Sequence, residues 1–198
     1  VSQPHRSLLI LAIVIALLGA VSGCKGPQEP EPAVSGGELP LDIPTRYPGA
    51  GRLVAIGDLH GDLEAARTAL KLAGAVDDED GWIGGDLVVV QLGDILDRGD
   101  DAMEILAMLD GLGEQARAAG GAIHLLNGNH ELMNVKLDMR YVSVGGYLDF
   151  LPGEKPDRDA ATAQDVVDGI GERILALRPG GAVALRFAGR NVITVIGD

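Results

Sequence analysis

LVVVQLGDILDRG, Leu87 to Gly99, begins as a leucine and three valines and closes on two glycines, two aspartates and an arginine. A short β-branched run bounded by such turn-forming residues reads as a buried strand. Two further stretches repeat the layout, RLVAIGD from Arg52 to Asp58 and AIHLLNGN from Ala122 to Asn129. Each stops abruptly at Gly, Asp or Asn. Between them lie DLEAARTALKLAG and DAMEILAMLDGLGEQARAAG, the second with Ile105, Leu106, Leu109 and Leu112 at helical spacing. Strands alternating with helices predict an α/β fold with a parallel sheet covered by helices. In such sheets the groups that act on ligands collect beyond the carboxyl ends of the strands.

The three strand ends hold the most polar clusters of the chain: GDLHGD at 57–62, GDILDRG at 93–99 and GNHE at 128–131. Gly-Asp after a strand is a common turn and helix cap, and Asp62 fits an N-cap. Capping does not call for His60, Arg98, Asn129 and His130 at such places. Metal chemistry does. Asp58 and His60, two residues apart on a tight loop, offer one point an oxygen and a nitrogen suited to Mn, Fe or Zn. Asp94 has two carboxylate oxygens with which to bridge that ion and a second one, and Asn129 offers the second a carbonyl oxygen. Two divalent ions about 3.5–4 Å apart can clamp an in-line displacement at phosphorus.

In this order and spacing, the three blocks resemble the calcineurin-type metallophosphoesterases, in the phosphoprotein phosphatase branch with its GDxHG, GDxxDRG and GNHE motifs. QLGDILDRG, LLNGNHELMN and the following DMRYV are most similar to the Shewanella-like protein phosphatases. The likeness runs from Arg52 to Tyr141 and is looser from Val142 onward. It implies a sandwich of mixed sheets flanked by helices, of which this chain would hold the N-terminal part. It also implies hydrolysis of phosphomonoesters at a dinuclear site, with a phosphoprotein or small phosphoester as substrate. Asp58 and His60 would bind the first metal, Asp94 would bridge, and Asn129 would bind the second. Arg98 would hold phosphate oxygens, which suits a fork of donors. His130 would protonate the leaving oxygen, with Asp97 hydrogen-bonded to its other nitrogen. Glu131 leaves two readings open, as acceptor for a backbone amide or as orienter of a neighbouring ligand. A dinucleoside tetraphosphate hydrolase of the same superfamily is the second reading within the enzyme class.

Other residues carry plainer expectations. His124, about 16 Å up the third strand from the metals at ~3.3 Å per residue, reads as a packed or edge histidine. The acidic run Asp77–Asp80 lacks the spaced ligands of a calcium loop and reads as a solvated loop. Trp82, Ile83, Gly84 and Gly85 read as a turn before the second strand. Downstream, TAQDVVDGIGERILAL reads as a helix, RPGG as a turn and NVITVIGD as a strand. No histidine follows His130, whereas the resemblance implies two more as ligands of the second metal. The metallophosphoesterase domain, taken as 49–198, is therefore expected to be incomplete at its C-terminus. A catalytically incomplete, lipid-anchored metal-binding domain is the alternative from a different class.

At the other end, Arg6 precedes an apolar run from Leu8 to Leu18 and then small residues up to Cys24. That is the layout of a secretory signal. Val21, Ser22, Gly23 and Cys24 resemble a bacterial lipobox, so residues 1–23 are expected to be a lipoprotein signal peptide with Cys24 lipidated. Residues 24–48, rich in Pro, Gly and Glu, read as a flexible tether. The chain would then be an exported lipoprotein of the cell envelope, touching the membrane through its lipid. A formal charge of −13 over 198 residues argues against nucleic acid as a partner. With one cysteine, no internal disulfide can form.

Overall fold

The architecture comes from a computed structural model that describes residues 42–198. The expected signal peptide, Cys24 and most of the tether lie outside the described residues. Strand β1 is Arg46–Tyr47, followed by β2 (Leu53–Ile56), helix α1 (Leu63–Leu72), β3 (Val88–Gln91), α2 (Ala102–Ala118) and β4 (Ala122–Leu125). After these come α3 (Asn129–Val135), α4 (Val144–Leu148), α5 (Ala163–Leu177), α6 (Ala182–Ala188) and β5 (Val195–Ile196).

The three expected strands form one parallel sheet in the order β2-β3-β4. Leu53 aligns with Val88, and Val88 with Ala122, so all three chains run out at the same edge. The middle strand is the most buried, with Val89, Val90 and Gln91 inside. Helix α1 starts at Asp62, whose side chain accepts from the Ala65 N–H as the expected N-cap. It buries Leu63, Ala66 and Leu70, while α2 buries Ile105, Leu106, Leu109 and Leu112 on the predicted face. These side chains meet Val89 and Leu87 in one core. Burying a leucine of this kind is worth about 1.5–3 kcal/mol, which makes the core the main force aligning the strand ends.

Three regions differ in detail from the sequence reading. The end of the 24–48 tether is ordered: Arg46 and Tyr47 pair in parallel with Val195 and Ile196 of β5, and Asn191 Nδ2 donates to the Pro44 carbonyl. The strand expected over NVITVIGD is thus only two residues long, because its partner is equally short. Both sheets are parallel, and antiparallel pairing among the described residues is limited to the bridge between Val76 and Trp82. Around that bridge the acidic loop is stapled to α1, with Lys71 near Asp78 at 3.2 Å and Arg67 bonded to Asp80 at 2.7 Å. Trp82 Nε1 closes the turn onto the Gly85 carbonyl. His124 packs its ring on Tyr47 at 4.0 Å, and burial holds its pKa below the usual imidazole value.

Helix α5 matches its expected bounds. Thr162 and Asp165 form a reciprocal capping box at its start. Its buried stripe is Gly169, Arg173 and Leu177, so a charged residue occupies the middle of the inward face.

Candidate active site

The polar clusters meet because the loops carrying them are laced together by backbone and buried polar groups. The Leu59 and His60 amides both donate to the Asp94 carbonyl, and Gly61 donates to Ile95. Gln91, fully buried at the end of β3, donates from Nε2 to the carbonyls of Gly57 and Gly93 and accepts from the Gly93 amide. Its single side chain therefore fixes the ends of β2 and β3 relative to each other.

Glu131 does the same for the second and third loops. It is fully buried, and its Oε1 accepts from Ile95 and Leu96 while its Oε2 accepts from Asp94 and Gly128. Four amides use the four lone-pair sites of a carboxylate. Of the two readings left open for Glu131, the structure shows the acceptor of backbone amides, three of them from the Asp94 loop and one from Gly128.

The backbone at these loops is held in unusual conformations. His60, Asp94, Asp97 and Arg98 all have left-handed φ angles, between 48° and 71°. Such angles cost about 1–3 kcal/mol each and persist only where surroundings over-determine them. Glycine is needed where the loops touch. A Cβ on Gly93 would lie 2.1 Å from the Gly128 nitrogen, and one on Gly99 would lie 2.4 Å from the His60 carbonyl oxygen.

Within this frame His60, Asp94 and His130 bring ligand atoms within 4.8 Å of one another. Asp58 joins them, its Oδ2 lying 3.4 Å from His60 Nε2. Asp94 Oδ1 accepts from the His130 amide at 2.8 Å, which fixes its rotation. His60 Nδ1 lies 3.0 Å from the Leu96 carbonyl, an acceptor, so Nδ1 carries the proton and Nε2 presents a lone pair. That Nε2 is buried without a hydrogen-bond partner and faces a carboxylate. Two acceptors at such a distance repel, so the pair has room for a proton or a metal ion between them. The donor set of imidazole nitrogen and carboxylate oxygens suits a divalent transition metal.

Asn129 and Arg98 lie at the exposed rim of the site. Asn129 stands at the first position of α3, exposed, with its amide 3.8 Å from Met133 Sδ. Arg98 is exposed. Its amide donates to the Tyr141 carbonyl, and its guanidinium makes no hydrogen bond or ion pair among the described residues. The Tyr141 ring lies 5.3 Å from that of His130.

Beneath them is a buried network. His130 Nδ1 is 2.7 Å from Asp97 Oδ2, as expected for that pair. Asp97 also accepts from Asn134 Nδ2 on both oxygens, and its Oδ1 accepts from Arg173 at 2.8 Å. Burial pulls the Arg173 pKa down and Asp97 pulls it back up; a guanidinium stays charged in either case. Sequence reasoning did not single out Gln91, Asn134 or Arg173. Asn134 was within reach, since it closes the quoted LLNGNHELMN one turn after His130. Gln91 and Arg173 carry no local signal.

Beyond the carboxyl ends of its three parallel strands the sheet gathers two histidines and carboxylates, donor types that a divalent-metal site uses. The calcineurin-like phosphoesterase family matches residues 51–186, and the chain belongs to that family. It is 41% identical over 205 residues to Shewanella-like protein phosphatase 2 of Arabidopsis thaliana, across 90% of this chain and 51% of that protein. Shewanella-like protein phosphatase 1 of Plasmodium berghei (strain Anka) is 36% identical over 93 residues, across 47% of this chain and 26% of its own. Among solved structures, the cold-active protein-tyrosine phosphatase of a psychrophile Shewanella sp. superposes with a TM-score of 0.60 at 29% identity, across 79% of this chain and 42% of that one. A further structure of a cold-active protein tyrosine phosphatase gives 0.61 at 30%, across 82% and 46%. The chain thus spans about half or less of the length of these relatives.

Proposed function

We propose that this chain carries the active-site motifs of a metal-dependent phosphomonoester hydrolase that acts as a protein phosphatase with two divalent ions. The observation that supports it most directly is His60, whose buried Nε2 has no hydrogen-bond partner among the described residues and points toward the exposed Asp58 carboxylate, 3.4 Å away. Asp58 and His60 would hold the first ion, Asp94 would reach both, and Asn129 would bind the second. Such ions supply a water deprotonated near neutral pH and neutralise charge on phosphoryl oxygens.

The remaining work falls to the chain's own side chains. Arg98, exposed at the rim, offers the fork of donors that grips two phosphoryl oxygens. His130 has Nδ1 committed to Asp97, so Nε2 is the nitrogen that gives a proton to the leaving oxygen. The likeness to solved structures named as protein-tyrosine phosphatases supports phosphotyrosine as the ester.

His130→Asn tests the assignment, with a phosphoserine peptide and an aryl phosphate as substrates and manganese supplied. A phenolate leaves with a pKa near 10 and needs the proton less than an alkoxide does. The alkyl ester should therefore lose at least about tenfold more turnover than the aryl ester. EDTA should abolish both activities and manganese restore them. Equal losses from the two esters, or turnover that survives EDTA, would remove the proposal.

A further inference from the structure

Arg173 is fully buried, yet it belongs to helix α5, 76 positions along the chain from Asp97. Its guanidinium spends its donors on three targets. Nη1 donates to the Gly146 carbonyl at 2.8 Å, Nη2 to Asp97 Oδ1 and Asn134 Oδ1 at 2.8 Å each, and Nε to Asn134 Oδ1 at 3.1 Å. Asn134 Nδ2, held by that contact, donates to both Asp97 oxygens and to the His130 carbonyl. The Phe150 ring covers the guanidinium at 4.7 Å. One turn earlier, Gly169 lets α5 approach α4, since a Cβ there would lie 2.5 Å from the Tyr147 carbonyl oxygen.

A buried ion pair adds little stability over well-packed apolar residues, because desolvation offsets the attraction. Leu177, on the same stripe, shows what simple packing would use. A guanidinium supplies what leucine cannot, a fixed direction for its partner. Asp97 sits at φ 71°, a conformation it would not keep unaided. With Arg173 and Asn134 bonded to it, the carboxylate can turn neither away from His130 nor toward solvent.

We infer that Arg173 is a positioning residue for His130: by clamping Asp97 and Asn134 it fixes the imidazole rotation that leaves Nε2 toward the reacting phosphoester. The clamp is visible independently of function, while its effect on turnover rests on the hydrolase reading.

The experiment combines Arg173→Met, Arg173→Lys, Asp97→Asn and the double variant Asp97→Asn/Arg173→Met in the intact protein with manganese. Circular dichroism checks folding in each. Arg173→Met leaves the buried Asp97 carboxylate without its guanidinium partner, so it is the variant at risk of misfolding. Arg173→Lys keeps the charge, and the double variant removes both charges. In folded Arg173→Met, kcat on the alkyl ester should fall about ten- to a hundredfold, with kcat on the aryl ester falling less than about threefold and KM little changed. Arg173→Lys should recover part of the loss. On the Asp97→Asn background the same change should cost less than about twofold, because coupled residues are not additive. With diamagnetic zinc in place of manganese for this measurement, the nitrogen-15-edited proton signal of His130 Nδ1–H should be sharp in the parent, weaker in the Lys variant and lost in the Met variant.

Equal losses on both esters, an additive double variant or an unchanged Nδ1–H signal in a folded Arg173 variant would overturn the inference. Should Arg173→Met not fold, the Lys variant alone decides by the same ester split and signal. A parent that turns over neither ester would sink the hydrolase reading, while the Nδ1–H signal would still judge the clamp.

Discussion

Asp58, Arg98 and Asn129 are exposed at the rim of the site, and their side chains make few bonds to the protein. Asp97, Glu131, Asn134 and Arg173 beneath them are buried and close to saturated with hydrogen bonds. Both layers consist of polar and charged residues, yet they obey opposite rules. A group meant for a ligand must keep its donors or lone pairs unspent until the ligand arrives. A group meant to hold geometry must spend all of them, because a buried polar atom left without a partner costs about 1–3 kcal/mol. Asp94 and His60 stand between the layers, each with one side committed to the protein and one to the site.

Perturbing one member of each layer tests this division. Asp94→Asn keeps the oxygen that accepts from the His130 amide but removes the charge. Turnover should fall about a thousandfold, some 4 kcal/mol of transition-state stabilisation, with the unfolding midpoint nearly unchanged. Retention of more than about a tenth of the activity would break the assignment of Asp94 to the ligand-facing layer.

Glu131→Ala addresses the floor. Four amides lose their acceptor, and urea unfolding should show a loss of about 3 kcal/mol, together with weaker metal uptake as the Asp94 loop relaxes. A loss below about 1 kcal/mol would mean that the loops hold themselves. The smallest effect is expected at Thr162→Ala, which removes the cap of the helix that delivers Arg173. It should cost about 1 kcal/mol, read as a drop of about 2–4 °C in the thermal midpoint. A drop no larger than at an exposed position such as Gln164→Ala would detach the cap from the site's support.

The amino-acid sequence determined by itself the three strands, both helices between them and the strand-end clusters. Those features repeat over a few residues, and local spacing is what periodicity and turn chemistry record. The strand-end positions of Asp58, His60, Asp94, Asp97, Arg98, Asn129 and His130 were legible for that reason, as was the inward face of α2. Tertiary structure alone decided that Arg173 points inward, since IGERIL reads as an ordinary polar helix until Gly169 brings α5 against α4. It also decided that Gln91 braces two strand ends, and that Arg46 and Tyr47 leave the expected tether to pair with β5. Each of these depends on a partner distant in sequence or on a backbone contact that leaves no period. A hydrogen bond between groups 76 residues apart is specified by the packing that brings them together, and packing has no local signature.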